Sequence, residues 1–507
     1  MIESINTIDK LIIAAYFVIV LIIGFYYSRN KKHSAEDYFL ANRNMGWLAI
    51  GFSIFSTNLS SEHLVGLASA GSKSGIAVGH FEWLAILFII MLGWIFSPIF
   101  LKSKINTIPE LIGKKFGQGI RKFYSGLSIF TYIFTKIAIS LLAGGILLNE
   151  LFGWNFITSV TIMLLFTGIY TVVGGLRSVM YTQVFQAVIF ILGGIAVAFY
   201  GIESVGGYSA FFAKLPSSHL EVFKPLSDPD FPWLGILLGA PIIAAWYWWA
   251  DQYIVQRILS AKNLKEAKKG TLFGAVLKIF PFIFLIIPGM IALELTGGQV
   301  GNGVYTVLFS AEIFPAGITG LILSGFFAAL MSSLASAFNS TATLIAYDFF
   351  GNSKNNNDSK LILIGRLSTI FIVVLSIVFI PLLQLFDNGI YVNLQKLQAY
   401  ISPPIVVIFI MALLWKKQSA KCAFWTLVIG EFIGFSRIFA DYAALNFSSN
   451  IGVLSILHNI NYLYFAFYLF LFSTFLFVGL TFVVKERNEF EHMKNSEVSM
   501  VAEKGYK

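Results

Sequence analysis

The chain of 507 residues is 57 % hydrophobic and only 12 % charged, with a formal net charge of +9. Soluble domains carry roughly a quarter of charged residues, so this composition excludes both a soluble globular protein and an intrinsically disordered one. The single cysteine, Cys422, excludes a fold held together by disulfides.

Apolar stretches that are long enough to cross a bilayer recur along the whole chain, since a spanning helix takes roughly 20 residues. We predict about thirteen of them, at approximately residues 9–28, 46–71, 79–101, 122–150, 155–173, 179–204, 232–256, 270–294, 315–347, 361–386, 392–415, 420–439 and 456–484. Basic residues follow the first stretch, which is typical of a retained membrane anchor. The chain is therefore predicted to be an all-α integral membrane protein with about 13 transmembrane helices.

Basic residues cluster in alternate loops between these predicted spans. Most of the 35 lysines and arginines lie in those loops and in the C-terminal tail, whereas the intervening loops hold few. The positive-inside rule then predicts a multi-pass protein of the plasma or inner membrane, with its N-terminus outside and its C-terminus in the cytoplasm. The lipid bilayer explains the basic charge, so no nucleic acid partner is needed, and no obligate protein partner is evident.

Two predicted spans carry polar residues where the lipid core would be. The second span reads SIFSTNLSSEH over residues 53–63, and the seventh reads AAWYWWADQ over residues 244–252. Lipid tolerates an interrupted helix only where protein or a water-filled cavity satisfies the freed backbone groups. A pair of such helices at corresponding places in two halves indicates an inverted-repeat transporter with its site at the interruptions. For either helix alone, the alternative is a kinked packing helix with small polar contacts.

The ninth predicted span holds the densest cluster of hydroxyl side chains. Its polar residues are Ser332, Ser333, Ser336, Asn339, Ser340 and Thr341. Residues 332, 336 and 340 share one helix face. Neutral hydroxyl and carbonyl oxygens without a carboxylate suit Na⁺ better than Ca²⁺, which usually recruits carboxylates. Unwound carbonyls of the second span would complete such a site.

Ionisable side chains also occur at membrane depth, namely Glu82, Lys136, Asp251 and Lys278. A charge near the bilayer centre costs ~2.5–3.5 kcal/mol, so each of these residues must face a partner or a cavity. A functional site and a buried ion pair that holds helices together are both compatible with the pattern.

Together these segments resemble the sodium:solute symporter family, and within it the sodium/glucose cotransporters, over nearly the whole chain. The most specific matches are residues 58–75, 79–83, 246–257, 330–343 and 400–404. The resemblance implies a LeuT-like fold in which residues 46–205 and 206–415 form two inverted five-helix repeats. Residues 1–45 would then hold an extra N-terminal helix and loop, residues 416–485 two C-terminal helices, and residues 486–507 a cytoplasmic tail.

The resemblance also implies two sites. The sodium site maps onto the main-chain carbonyls of Ser56, Leu59 and Ala329 and the hydroxyls of Ser332 and Ser333. The sugar pocket maps onto seven residues: Asn58, His63, Glu82, Tyr247, Trp248, Lys278 and Gln395. Sugar hydroxyls both donate and accept hydrogen bonds, and this set offers both functions beside an aromatic platform, with Tyr247 as the implied inner gate.

Four positions depart from relatives in the family. His63 matches the animal glucose cotransporters, whereas bacterial sugar symporters tend to have Gln, and Ala85 and Ala244 replace polar residues that some bacterial relatives use on the sugar. Gln183 stands where the family usually has the Asp of a second cation site, near Ser336. Because the loss of that carboxylate weakens a second site, we predict one Na⁺ per sugar.

We therefore predict a sodium-coupled secondary active symporter that imports a hexose of the glucose or galactose type by alternating access, with Na⁺ as the coupling ion. A symporter for myo-inositol or a carboxylate is a rival, although Glu82 would repel an anion that Lys278 attracts. A sugar sensor that binds without coupled uptake also stays open. An intramembrane enzyme is disfavoured, because one cysteine and six scattered histidines supply no activated nucleophile or metal cluster.

Overall fold

In the computed structural model, which describes residues 5–29, 34–351, 357–383, 390–415, 419–446 and 453–484, the chain is almost entirely helical. These ranges contain no named strand, only isolated backbone bridges from Met45 to Ala261 and from Lys224 to Pro232. The helical content confirms the all-α prediction. The predicted cytoplasmic tail, residues 486–507, lies outside the described residues.

The N-terminal part of the chain forms ten α-helices. They are α1 Thr7–Ser28, α2 Ala35–Leu40, α3 Trp47–Asn58, α4 Ala68–Ser74, α5 His80–Met91, α6 Ser97–Lys102, α7 Ile108–Phe116, α8 Gln118–Thr131, α9 Ala138–Phe152 and α10 Phe156–Ser204. Wider π-helical turns connect some of them, at His63–Leu67, Leu92–Phe96 and Tyr132–Ile137, and 3₁₀ turns lie at Ala41–Arg43 and Gly75–Gly79.

The C-terminal part of the described chain forms thirteen more α-helices. They are α11 Gly207–Lys214, α12 Trp233–Leu238, α13 Ala240–Ala245, α14 Gln252–Leu259, α15 Leu264–Leu277, α16 Ile287–Thr296, α17 Val304–Ser310, α18 Ile318–Leu344, α19 Asp358–Leu383, α20 Ile390–Leu414, α21 Ala420–Asn446, α22 Val453–Asn459 and α23 Tyr462–Val483. Further π-helical turns lie at Trp246–Ala250, Phe282–Ile286 and Ile345–Phe349, and a 3₁₀ turn at Ser217–His219.

Eleven helices in the described ranges are long and apolar enough to cross a membrane, so the predicted count of thirteen is not confirmed. The difference arises at two glycines. Helical structure continues from His63 to Lys102 through Gly75 (φ +67°), and α10 continues for 49 residues through Gly175 (φ +58°). A straight helix of that length would measure roughly twice the ~30 Å hydrocarbon core. Each glycine therefore turns the chain between two stretches that the sequence analysis counted separately.

Main-chain crowding explains why these two positions are glycine. A Cβ atom would lie 2.1 Å from the His219 carbonyl oxygen at Gly75 and 2.4 Å from the Tyr38 carbonyl oxygen at Gly175. Their positive φ angles also disfavour any L side chain. The repeat boundaries at residues 46–205 and 206–415 stay predictions.

Both predicted interruptions are present. Helix α3 ends at Asn58, Leu59 adopts an extended conformation (φ −80°, ψ 119°), and helical structure resumes at Ser61. The seventh span breaks at Asp251 (φ −87°, ψ 120°), directly after the turn Trp246–Ala250. The Asp251 carboxylate accepts a hydrogen bond from the Tyr253 main-chain nitrogen at 3.0 Å, which caps α14 and stabilises the new helix start.

The two interrupted helices lie against each other with opposite chain directions. At one end, the Met45 nitrogen donates to the Ser260 carbonyl and the Lys262 nitrogen donates to the Met45 carbonyl, both at 3.0 Å, so the start of α3 is tied to the end of α14. Near the breaks, the Tyr253 hydroxyl donates to the Thr57 carbonyl at 2.7 Å. The interruptions therefore adjoin each other in the interior, as a shared site requires.

Helix α18, which carries the hydroxyl cluster, lies in the centre of the molecule. Nearly every one of its residues is buried, and it packs against α10, α1 and α19. In contrast, α1, α19 and α23 expose large apolar side chains, among them Leu11, Phe371 and Phe475. Apolar surface of this kind suits contact with lipid. The serines of α18 thus face protein neighbours rather than acyl chains.

Candidate functional site

A cavity adjoins the two interruptions. All seven residues that the resemblance implied for the sugar pocket line it, and each is less than a tenth exposed: Asn58, His63, Glu82, Tyr247, Trp248, Lys278 and Gln395. They come from α3, α5, α20, the end of α15 and the turns His63–Leu67 and Trp246–Ala250. The structure thus brings the whole predicted set into one enclosed space.

A buried charge pair occupies one wall of this cavity. The Lys278 ammonium contacts the Glu82 carboxylate directly and lies 2.5 Å from Oδ1 of Asn58. Nε2 of His63 is 3.8 Å from the second oxygen of Glu82. The Asn58 amide nitrogen in turn donates to the Tyr247 hydroxyl at 3.1 Å. The last residue of α3 therefore connects the charge pair to the residue implied as the inner gate.

Two aromatic rings and one hydrogen-bond acceptor without a partner form another part of the cavity wall. The rings of Tyr247 and Trp248 are 5.0 Å apart in an edge-on arrangement, and the Lys278 ammonium is 5.8 Å from the Trp248 ring centroid. The Gln395 side-chain oxygen is buried and has no hydrogen-bond partner within the described residues. A buried acceptor of this kind is costly unless a ligand or water satisfies it. The cavity therefore offers an unused acceptor beside an aromatic surface.

Four of the five residues implied for the sodium site come together at the end of α3, namely Ser56, Ala329, Ser332 and Ser333. The Ser332 hydroxyl lies 2.9 Å from the Ser56 carbonyl and 3.1 Å from the Ala329 carbonyl, and the Ser333 hydroxyl lies 3.1 Å from the same Ala329 oxygen. Leu59 follows three residues after Ser56, where the chain leaves the helix. Both hydroxyls can turn their lone pairs towards a cation. Neutral oxygens of α3 and α18 thus adjoin each other beside the cavity.

The side chain of Gln183, on α10, occupies the neighbouring space. Its amide nitrogen donates to the Ser336 hydroxyl at 2.7 Å, the Ser332 carbonyl at 3.0 Å and the Thr57 hydroxyl at 3.2 Å. The buried Arg257 guanidinium donates to the same Ser336 and Thr57 hydroxyls, at 2.6 and 3.2 Å. In the described ranges, no carboxylate is paired with Arg257. Hydrogen-bond donors, one of them cationic, therefore surround Ser336.

Two charged residues that line the cavity were not assigned to it by the sequence analysis, Glu62 and Lys136. The Lys136 ammonium is 3.8 Å from the Asp251 carboxylate and 3.9 Å from the Tyr247 ring centroid. In the sequence, Lys136 is recognisable only as a charge at membrane depth, and Glu62 only as one of several polar residues around the first break. Ala85 and Ala244 also lie in the cavity wall, as do Phe81, Ile243, Tyr391, Leu394 and Gln398.

Comparison with known proteins gives concordant similarities. The model of the sodium:solute symporter family matches residues 38–430. Sodium/glucose cotransporter 4 of Mus musculus is 36 % identical over 504 residues, which cover 91 % of this chain and 73 % of that protein. Sodium/glucose cotransporter 1 of Ovis aries is 36 % identical over 529 residues, with 95 % and 79 % covered.

A solved structure is similar over almost the entire chain. It is a Na⁺-coupled sialic acid symporter in a substrate-bound outward-open state, with a TM-score of 0.80, 22 % identity, and coverage of 94 % of this chain and 98 % of that chain. A likeness of this size confirms the predicted LeuT-like fold.

Proposed function

Because the chain belongs to the sodium:solute symporter family, we propose that it imports a hexose together with Na⁺. Membership makes it a multi-pass membrane transporter coupled to Na⁺ and not an enzyme. The hexose and the residues that bind it are the finer part of the proposal. The observation that best supports this finer part is the cavity at the two broken helices. Seven residues that offer donors, acceptors and aromatic rings to a sugar line it together.

The charges of the cavity favour a neutral solute over an anion. Its lining contains the carboxylates of Glu62 and Glu82 and the ammonium groups of Lys136 and Lys278, so the two signs are balanced. An anionic ligand would gain no net attraction and would have to be desolvated. A polyhydroxylated ring can donate to the carboxylates and accept from the ammonium groups. The solved neighbour carries sialic acid, which keeps an acidic sugar as the rival substrate.

Coupling would arise because the ion and the sugar share the last turn of α3. Ser56 and Leu59 supply two of the proposed Na⁺ ligands, and Asn58, between them, contacts Lys278 and Tyr247. An ion that holds α3 against α18 would therefore also hold Asn58 in the sugar pocket. Sodium can shift the conformational equilibrium only by its differential affinity for the two states, and contacts at α3 that form in one state and not in the other would supply that difference.

One ion is energetically sufficient for useful accumulation. A charge that crosses 100 mV contributes ~2.3 kcal/mol, and a tenfold Na⁺ gradient adds ~1.4 kcal/mol. The combined ~3.7 kcal/mol supports a sugar gradient of roughly 500-fold. The import direction, the outward N-terminus and the plasma or inner membrane stay predictions.

Transport is tested with the purified full-length chain in proteoliposomes. We expect labelled glucose or galactose to accumulate above equilibrium only under an inward Na⁺ gradient, and a Na⁺ ionophore to abolish the accumulation. Unlabelled myo-inositol and sialic acid serve as competitors. Hexose binding without accumulation would instead support a sensor, and competition by sialic acid but not by hexoses would support the acidic rival.

The donors around Ser336 predict a transport ratio of one Na⁺ per sugar. The amide of Gln183 and the guanidinium of Arg257 fill the space where a carboxylate would help to hold a second cation. The measurement is dual-label uptake of ²²Na⁺ and sugar at initial rate, and we expect about one Na⁺ to enter with each sugar. One charge per sugar is the ratio for which the sugar gradient of ~500-fold was derived. A ratio near two would contradict this assignment.

A further inference from the structure

The Lys136 ammonium has hydrogen-bond donors that the protein does not use. Lys136 lies in the turn Tyr132–Ile137, lines the cavity and has a side chain that is only 4 % exposed. Throughout the described residues, no hydrogen bond to this ammonium is found, and the Asp251 oxygen at 3.8 Å lies beyond hydrogen-bond distance. Its other neighbours are ring faces, Tyr247 at 3.9 Å and Tyr253 at 4.8 Å. The three N–H groups of the buried Lys136 ammonium are therefore available to donate to a ligand in the cavity.

The Glu62 carboxylate supplies the complementary acceptor. It is 4 % exposed, lines the same cavity and accepts a hydrogen bond at 2.8 Å from the Ser140 hydroxyl on α9. The Ser140 carbonyl accepts from the Ser61 hydroxyl at 2.6 Å, which fixes α9 against the chain that carries Glu62. No basic side chain is within ion-pair distance of Glu62 among the described residues. A carboxylate has about four lone-pair sites, and the Ser140 hydroxyl, the Ser60 side chain and the main chain of Glu62 engage some of them, so about one site remains for a further donor.

We propose that Lys136 and Glu62 form a second polar subsite of the sugar pocket, at which Lys136 donates to one hydroxyl of a neutral sugar and Glu62 accepts from another. This inference rests on the proposed hexose transport. It differs from the Glu82–Lys278 wall because those two side chains contact each other directly. Since Lys136 lies on the Tyr247 ring, a hydroxyl that it binds lies beside the implied gate.

Monodeoxy sugars, each of which lacks one hydroxyl, reveal which hydroxyl forms a hydrogen bond with each residue. Every monodeoxy analogue of the transported hexose is tested as a competitor of Na⁺-driven uptake. For the wild-type chain we expect the analogue that lacks the Lys136-bound hydroxyl to bind at least about tenfold more weakly than the parent sugar. In Lys136→Met, which keeps the length of the side chain without donors, this preference should fall below about twofold and the preferences at other positions should remain.

Three further variants test the same inference even if Lys136→Met folds poorly. Lys136→Arg retains donors and should retain the preference, whereas Glu62→Met, which removes both acceptor oxygens, should lose the preference at a different hydroxyl. Lys73→Met removes an ion pair outside the cavity, with Asp230 at 2.7 Å, and should change no preference.

Two outcomes overturn the inference. If Lys136→Met and Glu62→Met both keep the wild-type preference for every hydroxyl, these residues hold helices together and do not bind the sugar. If no hexose competes with uptake by the wild-type chain, the proposed function itself fails.

Discussion

Glu82→Gln is expected to lower Na⁺-driven sugar uptake at least about 100-fold. The substitution keeps the shape of the side chain but removes the charge that compensates the buried Lys278 ammonium, which it contacts directly. Truncating one partner of a buried, hydrogen-bonded charge pair in a binding site costs ~2–5 kcal/mol, which at the middle of that range exceeds two decades in the binding constant. The measurement is the initial rate of labelled hexose uptake over a range of sugar concentrations. We expect the loss in sugar affinity, with the Na⁺ concentration for half-maximal uptake little changed.

An ion pair at the surface provides the matched control for this experiment. Glu294 lies 3.3 Å from Lys214, whose side chain is half exposed, so the pair is well solvated. Exposed pairs contribute about 0–1 kcal/mol, and Glu294→Gln should therefore leave uptake within about twofold of wild type. If Glu82→Gln also stayed within that limit, Glu82 would have no part in sugar binding.

Ser333→Ala is expected to raise the Na⁺ concentration for half-maximal uptake at least tenfold (~1.4 kcal/mol). The hydroxyl is one of the five proposed oxygen ligands, and it lies 3.1 Å from another, the Ala329 carbonyl. Removing an oxygen ligand leaves the ion under-coordinated in a buried place that water reaches poorly. Ser333 is a cleaner target than Ser332, because the Ser332 hydroxyl also bonds to the Ser56 carbonyl across α3 and α18. The readout is uptake at fixed sugar over a series of Na⁺ concentrations.

The matched control for this second experiment is Ser376→Ala on α19. Ser376 is also buried and donates to a main-chain carbonyl four residues earlier, that of Ile372 at 2.7 Å, but it lies outside the proposed site. Its removal should leave the Na⁺ dependence unchanged. A normal Na⁺ response in Ser333→Ala would show that the assigned ligand set is wrong.

The long helices, the two breaks and the central serines were predictable because a bilayer restricts the chain in one dimension. Any stretch of about 20 residues in lipid must satisfy its own backbone, so polar residues inside such a stretch identify an interior place. This logic identified the interruptions at Leu59 and Asp251 and the burial of Ser332 and Ser333. Resemblance to a family then proposed which residues share a pocket, and the cavity holds all of them.

Other features depend on contacts between residues far apart in the chain. The Glu62–Ser140 hydrogen bond joins residues 78 positions apart, and Arg257 reaches Ser336 across 79 positions. Hydropathy reports how deep a charge lies but not which side chain it meets, so it could not separate a binding residue from a structural ion pair at Lys136. The number of unbroken helices was also beyond the sequence, because Gly75 and Gly175 turn the chain without ending the helical hydrogen bonding around them.

The sequence by itself therefore determined the membrane-spanning class, the basic loops and the places where helices break, since lipid acts on each segment separately. Only the tertiary structure decided which polar groups meet at the breaks and which of them keep unused donors and acceptors. The physical reason is that a buried charge is stabilised by neighbours within a few ångströms, and helix packing alone brings those neighbours together.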